Sequence, residues 1–353
     1  MIWLMNRTQA DPPRWRSAVL LIMALTVGLG WRAAGAQQPA TPQLALPLAC
    51  TPGSDCFIMN YVDHEDGPGR RDYQCRHLTY DGHRGTDFAL ADPAAMASGV
   101  AVLAAAPGLV VATRNDMADI HLREGGAKAI EGRECGNRVA IDHGGGWVTD
   151  YCHLRAGSVV VRRGQRVAAG DRLGLVGLSG ATEFPHVHLG VTWRGRAIDP
   201  FVGPVEDIHT TCGPGPASLW SKPALDALTY RSIVVYLAGL MPGEVTVEDI
   251  RRLRARSVAS HNAPTEIVSF FYMVVGLSRH DELSLRLIGP DGRAVVDRTG
   301  KFNEDRFVHA DRLWARSRSG ALPKGFYRGE IVVKPGAGSN GETIRRSETI
   351  ELR

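Results

Sequence analysis

Five side chains in this 353-residue chain are suited to hold a divalent cation and to move protons beside it: His83, Asp87, His153, His186 and His188. His186-Val187-His188 is the sharpest local pattern. In a strand, residues i and i+2 face the same side, so both imidazoles can address one ion. His83-Arg84-Gly85-Thr86-Asp87 sets an imidazole and a carboxylate four residues apart. Gly85 and the following Phe88-Ala89-Leu90 read as a turn running into an apolar strand, from which both groups reach one ion. His77 and Asp81 share that spacing and are expected to be surface polar residues. His153 lies in Tyr151-Cys152-His153-Leu154, at the end of a strand. In a chain with 12 histidines each feature alone arises by chance, and the argument rests on their combination in one segment. Two imidazoles and a carboxylate suit Zn²⁺, and three protein ligands leave a coordination position for water, the catalytic rather than the structural arrangement. Two histidines are then left to handle protons. The chain contains no HExxH, so a helix-borne glutamate base is not available.

These groups must be carried by a β-rich framework. From about Cys50 to Gly203, short apolar runs alternate with glycine-rich turns. Strands are predicted over 100–103, 108–113, 138–142, 147–153, 159–161, 172–176 and 188–193. His143-Gly144-Gly145-Gly146 is a hairpin turn, where glycine tolerates positive φ. The polar stretch between Arg114 and Cys135 reads as an inserted loop, either a wall or lid of a groove or a plain solvent loop. Gly213-Pro214-Gly215-Pro216 marks a break. Beyond it, strands at 267–277, 283–288, 294–297, 325–334 and 343–352 predict a smaller antiparallel β-sandwich, with a short helix over 247–255. Trp220, Trp314, Phe326 and Tyr327 are expected in the core. The expected class is therefore mainly β. The expected order is a signal peptide at 1–36, a Pro/Gln/Ala linker at 37–49, the site-bearing domain at 50–212 and an accessory β-sandwich at 217–353.

The compartment follows from the first residues and the cysteines. Arg7, Arg14 and Arg16 precede an apolar run from Ser17 to Trp31, and Ala34-Gly35-Ala36 is a small-x-small cleavage site, so a secretory signal cut after Ala36 is expected. No stable membrane span is expected after that cut. Of the formal net charge of +4, four arginines against Asp11 in residues 1–36 supply +3. The remainder is close to neutral, which gives no electrostatic case for nucleic acid. All 6 cysteines lie between 50 and 212, and an exported chain favours disulfides. Cys135 and Cys152 are the expected pair, because both lie on the paired strands of one hairpin.

Taken together, HRGTD at 83–87, GNRVAIDHGGGWVTDYCHL at 136–154, VRRGQRVAAGDRLGLVG at 161–177 and PHVHLGV at 185–191 resemble the LytM/lysostaphin-like zinc metalloendopeptidase family. That family shows HxxxD, then a strand ending in His-Leu, then HxH. The resemblance runs from roughly 78 to 202 and does not include the C-terminal part. It implies a LytM-type antiparallel sheet of the duplicated hybrid motif kind. It implies one Zn²⁺ per catalytic domain, bound by His83, Asp87 and His188, with His153 and His186 as catalytic histidines. It further implies hydrolysis of peptide bonds in peptidoglycan cross-links through a zinc-bound water, in the periplasm or outside the cell. Two positions depart from the family: Phe184 stands where glycine is common before Pro-His, and Leu189-Gly190 where Phe-Glu is common. Two alternatives stay open: a catalytically inactive LytM-type regulator of a cell-wall amidase, or a secreted protease acting on proteins. The sequence assigns the C-terminal domain no ligand.

Overall fold

In the computed structural model of the chain, residues 41–210, 212–336 and 341–353 are described. The expected signal segment lies outside the described residues. The first sheet is built from β1 (Cys56–Asn60), β2 (Gly85–Leu90), β4 (Gly108–Arg114), β5 (Asn137–Gly144), β6 (Trp147–Leu154), β7 (Arg166–Val167), β9 (His186–Trp193) and β10 (Arg196–Ala197). Its order is β1-β2-β9-β6-β5-β4-β7, with β10 paired to β9, and every pairing is antiparallel. β3 (Ala101–Leu103) and β8 (Arg172–Leu175) form a separate two-stranded sheet. Leu90, Val102, Tyr151, Val187 and Leu189 are buried in the core beneath. The β5–β6 turn has Gly145 and Gly146 at φ 62° and 88°. Positive φ at both central residues is what a two-residue type I′ hairpin turn requires, and it explains the run of glycines.

The C-terminal part has two sheets. One is β11 (Val234–Pro242), β13 (Ile267–Leu277) and β16 (Arg306–Arg316), in the order β11-β13-β16. The other is β12 (Ser260–His261), β18 (Ile344–Leu352), β17 (Gly325–Lys334), β14 (Glu282–Ile288) and β15 (Ala294–Lys301), in that order. β12 runs parallel to β18, and the remaining pairs are antiparallel. β13 is apolar on both faces for a reason. Phe270, Tyr272 and Val274 enter the core shared with β14, β17 and β18, which makes a sandwich. Phe271, Met273 and Val275 alternate with them and belong to the core of the first sheet. One strand thus joins two cores, and the described residues form one compact unit.

Short helices connect these strands: α1 (Ala95–Ser98), α2 (Leu122–Gly125), α3 (Lys222–Ala227) and α4 (Val247–Arg251). α4 ends earlier than the expected 247–255, and the chain turns at Leu253, φ 54°. Residues 159–161 are not a strand. The Asn115 side chain accepts from the Val159 amide and Val160 makes one backbone bond to Leu173, so no ladder forms. The described part of the expected linker is packed structure, with Leu44 bridged to Trp220, Leu48 bridged to Val102, and both leucines buried. Three disulfides close the first part: Cys50–Cys56, Cys75–Cys212 and the expected Cys135–Cys152. Of the aromatics expected in the core, Trp220 and Tyr327 are buried, whereas Phe326 and Trp314 are exposed.

Phe270 is fully buried in the sandwich core, and its ring fills the space above Gly329. Phe270→Ala is expected to lower unfolding stability by about 3–5 kcal/mol in denaturant titration, through lost transfer energy and a cavity. A loss below about 1 kcal/mol would show that this ring does not hold the two sheets together.

Candidate metal centre

Strand register brings the three expected ligands together. In the β2–β9 ladder Asp87 stands directly opposite His188, so their side chains share a face. His83 precedes β2 and folds back over it. His83 Nε2 lies 3.2 Å from Asp87 Oδ1 and 3.1 Å from His188 Nδ1, and His188 Nδ1 is 2.9 Å from Asp87 Oδ1. Gly85 is explained by this convergence. A Cβ there would lie 2.5 Å from the His188 ring and 2.8 Å from the Leu189 carbonyl, so only glycine lets the imidazole lie across β2.

Partners behind the cluster fix its orientation. His83 Nδ1 donates to the Tyr61 carbonyl at 2.6 Å, which leaves Nε2 to face Asp87 and His188. Asp87 Oδ2 accepts from Asn60 Nδ2 at 2.6 Å, which leaves Oδ1 for the cluster. Tyr80 packs on the His83 ring at 4.5 Å between centroids. His83 and Asp87 are buried. Burial opposes charge on His83, but the Asp87 carboxylate outweighs it and raises the imidazole's pKa. Burial likewise opposes charge on Asp87, and His83 and His186 outweigh it and hold the carboxyl well below its usual range. His188 is lowered, chiefly by burial.

This donor set fits zinc. Ligand atoms bound at about 2.0–2.1 Å in a tetrahedron lie about 3.3–3.4 Å apart, within a few tenths of an ångström of the three separations here. A cation at the centre would bind His83 Nε2, Asp87 Oδ1 and His188 Nδ1 together. Two other groups with metal-like spacing, Cys50-Asp55-Cys56 and Cys135-Asp150-Cys152, have their thiols committed to disulfides.

The two remaining histidines stand beside the cluster. His186 shares the β9 face with His188, and its Nε2 is 3.5 Å from Asp87 Oδ1. Its Nδ1 donates to the Phe184 carbonyl at 2.9 Å, and Phe184 stacks on the ring at 4.3 Å. His153 reaches the site by a different route. Cys152 is opposite His188, so regular alternation would turn His153 to the other face. Instead His153 adopts φ 63°, which breaks the alternation and sets its ring 4.6 Å from that of His186. A left-handed non-glycine residue costs of the order of 1–3 kcal/mol. The surroundings hold it there: its amide donates to Cys135 O at 2.8 Å and its Nδ1 donates to Ser179 O at 2.8 Å. Burial first, then His186 and His188, lower the His153 pKa well below its ordinary value. The other HxxxD-spaced pair goes elsewhere: His77 lies 3.3 Å from Asp305, and Asp81 is exposed.

A cavity of about 630 Å³ opens over Asp87, His153 and His186. The 114–135 insert walls it rather than lying free in solvent. Asp119 accepts from the Leu178 and Ala156 amides, and Arg123 pairs with Glu183 at 2.8 Å, which holds Leu122 and Arg123 at the rim. Sequence reasoning missed Asn60, the carbonyls of Tyr61, Ser179 and Phe184, and every C-terminal residue of the cavity wall. Backbone carbonyls leave no trace in residue type, and Asn60 sits on a strand that was not anticipated.

Asp87→Ala and Gly85→Ala test the cluster by competition with a chromophoric chelator. Asp87→Ala is expected to abolish tight zinc binding. Gly85→Ala is expected to weaken it by about 10–100-fold by displacing His188, the range for losing a support behind a ligand. His153→Ala is expected to bind zinc within a few-fold of the parent. Equal affinities in all three would contradict the assignment.

Residues 81–200 match the model of peptidase family M23. Among curated proteins, the chain is 35% identical over 117 residues to the peptidoglycan DD-endopeptidase ShyA of Vibrio cholerae, covering 33% of this chain and 22% of that protein. It is 35% identical over 71 residues to the cell division protein DipM of Caulobacter vibrioides, covering 18% and 11%. The chain thus spans about a fifth or less of these relatives' lengths. Among solved structures, the catalytic domain of the prophage-encoded M23 protein EnpA from Enterococcus faecalis aligns over 45% of this chain and 94% of its own, with 23% identity and a TM-score of 0.29. The matched stretch carries His83, Asp87, His153, His186 and His188, and it is a peptidase family M23 domain.

Proposed function

We propose that the chain is an exported zinc metalloendopeptidase that hydrolyses peptide bonds in peptidoglycan cross-links. The observation that carries this reading is the convergence of His83 Nε2, Asp87 Oδ1 and His188 Nδ1 within 3.2 Å of one another, beside two further histidines and under a cavity. The family of residues 81–200 and the similarity to a peptidoglycan DD-endopeptidase support the substrate class. Three disulfides agree with an exported chain. Among the described residues no helix is long and apolar enough to cross a membrane.

A bound zinc ion would supply Lewis acidity to a water and to the scissile carbonyl. The rest is done by the chain's own groups. His153 and His186 each commit Nδ1–H to a backbone carbonyl, so each presents Nε2 as a lone pair. Either Nε2 can take a proton from the attacking water and return it to the leaving amine, and the other histidine, when protonated at Nε2 as well, can donate to the developing oxyanion. The left-handed backbone at His153 sets one of these atoms against the other. Burial of Asp87 and His186 keeps bulk water from the cluster, which strengthens each polar contact made there.

Purified sacculi digested with the zinc-loaded protein test the proposal, with released muropeptides identified by mass. Cleaved cross-links are expected, with loss of cleavage on chelation. His153→Ala is expected to lower kcat by about 10²–10³-fold, the range for removing one transition-state group. Undiminished cleavage by that variant would contradict the role. Release of no peptide, with cleavage of casein instead, would favour a protease acting on proteins.

A further inference from the structure

The cavity over the cation cluster has a far wall that the M23 stretch does not supply. Tyr236, Arg251, Leu253, Met273, Val275 and Phe307 line it, and all come from the C-terminal part. Five of the six are apolar or aromatic. Phe271, Met273 and Val275 belong to the core of the first sheet, so this wall is packed on the site-bearing framework.

The charges around the cavity are unevenly matched. Asp87 belongs to the cation cluster. Arg123 and Glu183 neutralise each other at 2.8 Å. Arg251 remains, and its side chain makes no hydrogen bond or ion pair with any described residue. The nearby acid on its own helix, Glu248, is engaged by Arg252 at 2.6 Å. The backbone that carries Arg251 is held in position, while its side chain is exposed. Thr246 and Asp249 cap α4 reciprocally, with the Asp249 amide donating to Thr246 Oγ1 at 3.0 Å and the Thr246 amide donating to Asp249 Oδ2 at 3.1 Å. The adjacent Ile250 is fully buried.

We propose that Arg251 is a specificity-determining residue that binds a free carboxylate of the peptide substrate in a subsite built by the C-terminal part. This inference rests on the reading of the site as a peptidase of cell-wall peptides. A guanidinium at the cavity rim beside apolar surface matches a carboxylate, which it can grip through two parallel N–H···O bonds. Peptidoglycan stem peptides combine small alanyl side chains, suited to the apolar wall, with free carboxylates, suited to Arg251. The C-terminal part is then part of the substrate cleft and not a detached accessory.

The test reads binding rather than cleavage, so its outcome is separable from that of the proposed reaction. The probe is a cross-linked stem-peptide dimer with its carboxylates free, compared with the same dimer fully amidated. Each is titrated calorimetrically into the zinc-loaded full chain carrying His153→Ala, which slows turnover. The free acid is expected to bind at least about 10-fold more tightly than the amide. Adding Arg251→Gln is expected to reduce the free acid to the level of the amide while leaving the amide unchanged, and Arg251→Lys to restore part of the difference. Equal binding of the two peptides, discrimination that survives Arg251→Gln, or no measurable binding of either would overturn the proposal.

Discussion

Everything at this site depends on the pairing of two strands. The β2–β9 ladder puts Asp87 opposite His188, and the carboxylate and imidazole meet at 2.9 Å because the register allows nothing else. A slip of one residue would turn one of them to the other face of the sheet. Gly85 belongs to the same constraint, since any side chain there would strike the His188 ring. A cluster of this kind concentrates charge that burial alone would disfavour. Each buried group is accordingly tied from behind, His83 by the Tyr61 carbonyl and Asp87 by Asn60.

The second constraint is the placement of two histidines whose chemistry is alike and whose supports differ. His186 arrives by regular strand geometry, two residues from His188. His153 arrives by a local break in that geometry, held by the Cys135 carbonyl on one side and the Ser179 carbonyl on the other. The Cys135–Cys152 disulfide lies next to this break and fastens the end of β6. The disulfide thus steadies a strained backbone at the place where a proton-handling group is needed. The C-terminal sheet adds a third element, because β13 buries one face in its own sandwich and the other in the framework that carries the cluster. The wall over the cavity is therefore rigidly joined to its floor.

Much of this was legible in the residues. The HxH pair, the HxxxD pair and the glycine-rich hairpin stated their geometry through spacing, and the β-rich class followed from alternating apolar runs. What could not be read follows from physics that is non-local or carried by the backbone. β16 was missed because Arg306, His309, Asp311, Arg312 and Arg316 interleave with its apolar residues and mask the alternation of a strand whose outer face is polar. β11 was missed because its two faces serve two cores, leaving no period to detect. Residues 159–161 looked like a strand by composition, but the Asn115 side chain competes for the backbone. The chain around Leu44 and Leu48 looked like a linker because its prolines and glutamine hid two leucines that the fold buries. The role of residues 236–308 in walling the cavity depends on a packing between distant sheets that no local pattern encodes.

The most direct measurement is anomalous diffraction at the zinc edge from crystals of the zinc-loaded full chain. The account predicts one strong anomalous peak within about 2.0–2.2 Å of His83 Nε2, Asp87 Oδ1 and His188 Nδ1. A peak elsewhere, or none despite bound zinc, would contradict it.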